Sequence, residues 1–447
     1  MPARRQPNIL LLTVDCLRAD QLGCYGQEPS VSLALDRLAQ QACVLEQAVA
    51  HGPATRPSLP SLFGSSYPSE YGGFCTFSSE RPSLVEELAR REYCTAAFVP
   101  HAWLSPTFGY NRGFAHFDEC LSRPNRVRSV LLRTVHHALS RVGAAFLCPP
   151  YTNAEGLTDR VLDWVGDAPQ PFFLWVHYLD AHWPYNLRRC RLFLPTDPWA
   201  HLYTAGFAHK SRRYPDRVTE RERQGLMTLY RRSISFISEQ TDRIVEAMQV
   251  QDLLDDTMII VTADHGEAFG EHGSFYHGHI PYDETIRVPL LVKLPGQRQG
   301  HRIRGGPAQL MDVAPTVLEG VGLPPCERFR GRSMLAELSS EEPLPEREAI
   351  CEARDAGVWI IVVRTTRWKG IVRLDRTTLE VHKIEWYDLE NDPGEQQNLA
   401  GTVPDLVVSL REKALAYVRE MRQPVPEEPE IEPEVIERLK ALGYLED

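Results

Sequence analysis

The chain has 447 residues, a formal net charge of −11 and 43% hydrophobic residues. That much apolar sequence builds one large core with a smaller unit beside it. The acidic balance excludes a surface made for nucleic acid, and no zinc-finger spacing, recognition helix or aromatic-basic motif argues otherwise.

In chain order, short β-rich apolar runs alternate with helical stretches. "NILLLTV" predicts a strand and "SLALDRLAQQA" a helix; "SLVEELARRE" predicts a helix leading into the strand "TAAFVP". "GLTDRVLDWVGDA" then reads as a helix before "PFFLWVHYL", and the long helical "LMTLYRRSISFISEQTDRIVEAMQ" precedes "TMIIVTADHGE". "VPLLVKLP" and the helical "MDVAPTVLEGVG" follow. Strands apolar on both faces, interleaved with helices, predict an α/β fold: a doubly wound, mainly parallel sheet covered by helices on both sides. Near residue 340 the composition shifts to short strands with charged turns, "WIIVVRTTRWKGIVRLD" and "LEVHKIEWYDLENDPGEQQNLA". These predict a small α+β unit with an antiparallel sheet, closed by the helix "PDLVVSLREKALAYVREM". The division expected is 1–340 for the main α/β domain, 341–424 for the antiparallel unit, and 425–447 for a Pro/Glu-rich tether with a final docking helix, "VIERLKALGYLED".

The ten cysteines form no C-x-x-C pair, a scatter that predicts reduced thiols. The basic start "MPARRQP" leads into a short apolar run without a small-residue cleavage site, which fits a first strand better than a signal peptide. No run reaches the roughly 18 apolar residues of a membrane span. The expected location is therefore cytoplasmic. Two basic stretches, 122–147 and 187–223, stand against the acidic whole and are expected to draw an anionic substrate or a lipid surface.

Ligands of such sheets gather beyond the carboxyl ends of the strands, and Asp15, Asp180 and Asp264 each stand where an apolar run ends. Asp264 is followed at once by His265 and Gly266. An Asp and a His there, joined by Asp15 and a hydroxyl, make a mixed oxygen–nitrogen site for a divalent cation. His177 and His182 in "FFLWVHYLDAHWPY" and four more histidines in "TADHGEAFGEHGSFYHGH" fall at two strand exits, six of the chain's 15.

The ordered motifs "NILLLTVDCLRADQLGCYG", Thr-x-Pro-Ser, "HYLDAHWPY", "TADHGEAFGEHG", "ETIRVPLLVKLPG" and "WYDLENDPGEQQNLA" resemble the sulfatase branch of the alkaline-phosphatase-like superfamily over nearly the whole chain. The resemblance implies metal-assisted hydrolysis of sulfate or phosphate esters. It makes Asp15, Asp264 and His265 metal ligands, with Thr55 at the nucleophile position and also on the metal. His182 and His277 become catalytic groups at the ester oxygens or the leaving group, and His101, Arg56 and Asp180 substrate contacts. Sulfatases carry Cys or Ser at the nucleophile position and convert it to formylglycine; this chain reads Thr55-Arg56-Pro57-Ser58-Leu59, so no formylglycine is expected. Cys16 stands where many relatives have a further metal-binding Asp. A Thr hydroxyl activated at a cation favours phosphate or phosphodiester chemistry through a covalent Thr ester, because a phosphothreonine is open to attack by water at phosphorus. The two-residue spacing of Asp180 and His182 argues for one cation: Ca, Mg or Mn, with Zn compatible. The alternatives are a phosphoglycerol- or phosphoethanolamine-type transferase and a catalytically silent binding protein of the same fold.

Overall fold

The computed structural model describes residues 6–74, 76–121, 151–185, 205–421, 431–441 and 444. The basic stretch 122–147, the 187–193 part of the other and the tether at 424–430 lie outside the described residues.

"NILLLTV" becomes the strand Asn8–Val14, buried along its whole length. It is the middle of an eight-stranded sheet and pairs in parallel with Phe172–Tyr178 on one side and Thr257–Ala263 on the other. Beyond Phe172–Tyr178 the parallel strands Cys94–Phe98 and His116–Asp118 complete one wing. The other wing departs from the parallel rule: Leu290–Lys293 runs antiparallel to both Thr257–Ala263 and Cys43–Leu45.

Strand period 2 sends neighbouring side chains to opposite faces. In Phe172–Tyr178 the ring of Phe172 meets Trp164, and the Tyr178 hydroxyl meets Thr158 at 2.8 Å, both on the helix Ala154–Gly166. The odd-numbered Trp175 meets Phe63 of the helix Thr55–Gly64 across the other face. The sheet is therefore doubly covered. The long helix Glu220–Val250 packs with Ala154–Gly166 and Leu33–Ala39. Its start is fixed by a capping box between Thr219 and Glu222.

The C-terminal unit is a four-stranded antiparallel sheet: Ala349–Asp355, Val358–Arg364, Trp368–Asp375 and Val381–Asp388. The same alternation buries both of its faces. Trp359, Ile361 and Val363 pack with Leu410, Ala414 and Tyr417 of the helix Pro404–Met421. Ile360 and Val362 pack with Val49, Ala268, Tyr282 and Ile286 of the larger body.

Buried charge ties the same two parts together. Asp283 accepts hydrogen bonds from Arg364 at 2.9 and 3.1 Å and from Lys369 at 3.0 Å, and Lys369 Nζ lies 2.7 Å from Glu395. Burial opposes charge on Asp283, but Arg364 and Lys369 outweigh it and hold the carboxyl far below the usual carboxylate range. Asp283→Ala leaves buried Arg364 without its carboxylate and takes from buried Lys369 one of its two acid partners, and it is expected to destabilise the fold by about 3–5 kcal/mol, read as a lower urea midpoint at unchanged slope. Because the folded-state pKa is depressed, this contribution is complete above the ordinary carboxylate pKa, roughly 4, and fades as the pH falls further. Wild-type protein is thus expected to lose stability below about pH 4 more steeply than Asp283→Asn. Equal urea midpoints for Asp283→Ala and wild type at pH 7 contradict this reading.

Among the described residues, no helix is long and apolar enough to cross a membrane, and the seven described cysteines are free.

Candidate active site

Parallel pairing aligns Val14 with both Tyr178 and Ala263, so the residues that follow these strands emerge together at one sheet edge. Asp15 donates its backbone N–H to Tyr178 C=O at 2.8 Å. Cys16 then turns the chain through a left-handed conformation (φ 62°), a backbone state that costs a non-glycine residue of order 1–3 kcal/mol and needs fixing from outside. Tyr230 of the long helix supplies the fixing: its hydroxyl donates to Cys16 C=O at 2.6 Å and accepts from Arg18 N–H at 2.8 Å.

Asp264 and His265 leave the neighbouring strand. Asp264 Oδ1 accepts from the N–H groups of His265 (2.9 Å) and Cys16 (3.4 Å). Its Oδ2, fully buried, has no hydrogen-bond partner among the described residues. His265 Nδ1 lies 2.8 Å from Gly266 C=O; a carbonyl only accepts, so Nδ1 carries the proton and Nε2 presents its lone pair. That Nε2 lies 3.4 Å from Asp15 Oδ1, 3.6 Å from Asp264 Oδ2 and 3.3 Å from Thr55 Oγ1. The turn requires Gly266, where a Cβ would lie 2.1 Å from Glu284 C=O.

Thr55 opens the helix Thr55–Gly64. Pro57 in the first turn has a preset φ, and the N–H it lacks would have had no helical partner there. Ser58 Oγ donates to Asp264 C=O at 2.5 Å, which pins the helix start to the residues that leave the strand Thr257–Ala263. The N–H groups of the first turn aim their partial positive charge at the same edge.

The other sequence-predicted residues distribute as follows. His182 and His277 stand side by side, ring centroids 5.0 Å apart. With Thr55, Arg56 and Arg212 they line a cavity of about 450 Å³. Arg56 lies over the Trp103 ring at 4.1 Å and Arg212 over Tyr276 at 5.1 Å, so the cavity is cationic in an acidic protein. His101 is buried behind Asp15, its Nε2 3.2 Å from Asp15 Oδ2, and is not part of the cavity wall. Asp180 does not join the cluster: its buried carboxyl accepts from the backbone N–H of Ala154, and burial pushes it up to about 7.

Electrostatics follow the packing. Burial opposes charge on Asp15, but contacts with His101 and His177 outweigh it and hold this carboxyl well below the usual range. Burial disfavours His265⁺, yet the Asp264 and Asp15 charges raise it. Burial pushes His182 down to about 4 and His277 down to about 3, so both rings are neutral near pH 7 rather than cationic. His182 Nδ1 donates to Trp183 C=O at 2.5 Å, which leaves its Nε2 bare and without a hydrogen-bond partner among the described residues. Burial drives the Cys16 thiol well above its ordinary value, so it stays protonated beside Asp15 and is a poor stand-in for a carboxylate ligand.

Reasoning from sequence set His177 at a strand exit without giving it a role, and it missed Glu267 and Tyr444. His177 Nδ1 pairs with Thr13 Oγ1 at 2.8 Å, and its Nε2 faces Asp15 Oδ2 at 3.8 Å. Glu267 bonds His277 Nδ1 and the Tyr185 hydroxyl, each at 2.9 Å, and burial lifts it to about 7. Tyr444 reaches the cavity from a segment far along the chain. Glu267 sits inside "ADHGE" and was legible as a third acid of that motif; Tyr444 carried no signal.

The donor set fits a divalent cation. Ligand atoms of Asp15, His177 and Asp264 lie within 4.8 Å of one another, as do those of Asp15, Cys16 and His265. Carboxylate oxygens with one or two imidazoles suit such an ion. His265 and Asp15 each have an outer partner, Gly266 C=O and His101 Nε2, of the kind that would orient a group toward a cation.

Fold and edge together define an α/β protein with a buried two-carboxylate, imidazole cluster under a cationic cavity. The sulfatase family model matches residues 7–323, and a model described as "N-sulphoglucosamine sulphohydrolase, C-terminal" matches 270–420. The chain belongs to the sulfatase family. It is similar to the uncharacterized sulfatase YidJ of Escherichia coli (strain K12), 22% identical over 94% of this chain and 88% of that protein. Arylsulfatase K of Homo sapiens is 30% identical over 44% of this chain and 38% of its own length. Among solved structures, phosphonate monoester hydrolase of Agrobacterium radiobacter superposes with a TM-score of 0.67 at 20% identity, covering 93% of this chain and 96% of that one.

Proposed function

We propose that this protein is a cation-dependent hydrolase of anionic sulfate or phosphate esters, with a preference for phosphoryl groups, in which the Thr55 hydroxyl is the nucleophile. The observation that carries the reading is the approach of Thr55 Oγ1 to His265 Nε2 at 3.3 Å, within the group that contains Asp15 and Asp264. Asp15, Asp264 and His265 would hold the cation, with Thr55 Oγ1 and His177 Nε2 facing the same point. A divalent cation supplies a Lewis acid for a non-bridging ester oxygen and eases ionisation of the bound hydroxyl.

The protein's own residues do the rest. Arg56, Arg212 and the helix N-terminus draw the ester anion into the cavity. Thr55 Oγ forms a bond to phosphorus as the bond to the leaving oxygen breaks, and the Thr55 proton passes to the bare Nε2 of His182. Glu267, lifted by burial to about 7, passes its proton to His277 Nδ1 as the hydrogen on His277 Nε2 goes to the leaving oxygen. Water then gives a proton back to the His277–Glu267 pair and attacks phosphorus; the bond to Thr55 Oγ breaks, His182 returns its proton to that oxygen, and the anion leaves. His101 positions Asp15. A Thr ester of sulfate would be the slower of the two to resolve, which supports the phosphoryl preference. The fold likeness to a phosphonate monoester hydrolase adds that ester class to the substrates to be assayed.

The test is a panel of nitrophenyl sulfate, phosphate, phosphodiester and phosphonate monoester, each with Ca, Mg, Mn or Zn. Turnover of a phosphate-type ester above the sulfate, abolished by chelator and restored by one ion, is the expected result. No turnover of any ester with any ion contradicts the hydrolase reading, and faster sulfate turnover contradicts the phosphoryl preference. An added alcohol that diverts product from inorganic phosphate to a new ester marks a transferase instead.

A further inference from the structure

One wall of the cavity comes from outside every motif. Tyr444 lines it together with Thr55, His182 and His277. The phenol oxygen lies 3.0 Å from His101 Nε2, and Thr55 is a hydrogen-bond neighbour of the same hydroxyl. The ring leans on His182 at 5.2 Å and on Trp103 at 6.0 Å between centroids.

The placement is anchored. Tyr444 N–H donates to Leu439 C=O at 3.0 Å, which ties the residue to the end of the helix Pro433–Ala441. On that helix Val435 and Leu439 are buried in the main hydrophobic core. Arg438, also buried, bonds the Tyr151 hydroxyl at 2.9 Å and pairs with Glu119 at 2.6 Å. The paired Arg438 and the two buried apolar residues thus fix the end of the helix from which Tyr444 is held.

Proton placement says what the hydroxyl offers. His101 Nδ1 accepts from Trp103 N–H at 3.1 Å, so the neutral ring carries its hydrogen on Nε2. That hydrogen lies between Asp15 Oδ2 and the Tyr444 oxygen. The phenol oxygen therefore faces a donor, and its own hydrogen is free to point into the cavity. The cavity of about 450 Å³ persists with Tyr444 present, which makes the residue a wall of the site and not a plug.

The geometry points to Tyr444 as a substrate-contacting residue: its hydroxyl donates a hydrogen bond to a non-bridging oxygen of the ester anion seated over Thr55, and the helix Pro433–Ala441 exists to deliver it. The inference rests on the ester-hydrolase reading of this cavity. A neutral donor aimed at charge that builds in the transition state is the arrangement that lowers such barriers.

The experiment compares full-length, cation-loaded wild type with Tyr444→Phe and Arg438→Ala. It reads kcat and KM on the best panel ester, the affinity for inorganic phosphate by calorimetry, and the melting temperature. Tyr444→Phe is expected to lower kcat/KM roughly ten- to a hundredfold and to weaken phosphate binding by about tenfold at unchanged melting temperature. Arg438→Ala, which loosens the anchor, is expected to reproduce both losses. Wild-type kcat/KM and phosphate affinity in Tyr444→Phe overturn the inference, and a gain of activity assigns Tyr444 to an inhibitory contact instead. If wild type turns over no ester, the hydrolase reading fails on its own, and the phosphate affinities of the two proteins still decide whether Tyr444 touches the anion.

Discussion

Thr55→Ala is expected to lower kcat/KM by at least about 10³-fold while the protein stays folded, the loss typical when an enzyme's nucleophile is removed and only binding and charge stabilisation remain. The residue is 2% exposed, opens a helix and lines the cavity; the space left by the lost hydroxyl and methyl joins that cavity and Ala is the better helix former, so the melting temperature should barely move. Thr55→Ser keeps the oxygen and is expected to retain measurable turnover, whereas Thr55→Val keeps the shape and loses the oxygen. Activity that follows the oxygen and not the shape, across Ala, Val and Ser, is the signature of a nucleophile. Equal losses in Ser and Val would assign Thr55 a packing role only.

Asp264→Asn carries the second large effect. Asp264 Oδ1 is held by two backbone N–H groups while buried Oδ2 points at the Asp15–His265 cluster. An amide keeps the shape and loses the charge that a cation requires. The variant is expected to bind the activating ion at least about 100-fold more weakly, a loss exceeding that of an outer-sphere partner, and to show no turnover at an ion concentration that saturates wild type. Stability gives an independent reading. An ion at one hundred times its Kd stabilises the folded protein by about 2.7 kcal/mol. Wild type should therefore melt higher with the ion than with chelator, and Asp264→Asn should melt alike in both. Without the ion the sign reverses, because Asp15 and Asp264 repel each other in a buried space; the Asn variant should then be the more stable of the two. An ion-dependent melting shift of wild-type size in Asp264→Asn contradicts the ligand assignment.

The large features of the fold were legible because they rest on local pattern. "NILLLTV", "PFFLWVHYL" and "TMIIVTA" are apolar on both faces, and only the middle of a covered sheet buries both faces of a strand. The antiparallel run of Leu290–Lys293 was not legible, since direction is set by how the chain returns and not by the strand's own residues. At the site, Asp15, Asp264 and His265 were readable because each ends such a strand. Asp180 ends a strand too, but two residues past Tyr178 the chain has turned, and its carboxyl caps Ala154 N–H instead. The neutral state of His182 and His277 could not be read from composition, because it depends on how completely the rings are buried. Tyr444 was hidden for another reason: "LGYLED" has nothing to mark it until the helix before it docks.

The most direct measurement traps the reaction on the nucleophile. Cation-loaded protein is mixed with excess ester, quenched in acid within the first turnovers, digested and weighed peptide by peptide. The account predicts one added phosphoryl group, or a sulfuryl group when a sulfate ester is the substrate, on Thr55 of the peptide containing Thr55-Arg56-Pro57, and none in Thr55→Ala. A group found on another residue of an active preparation, or turnover with Thr55 unmodified at every quench time, contradicts it.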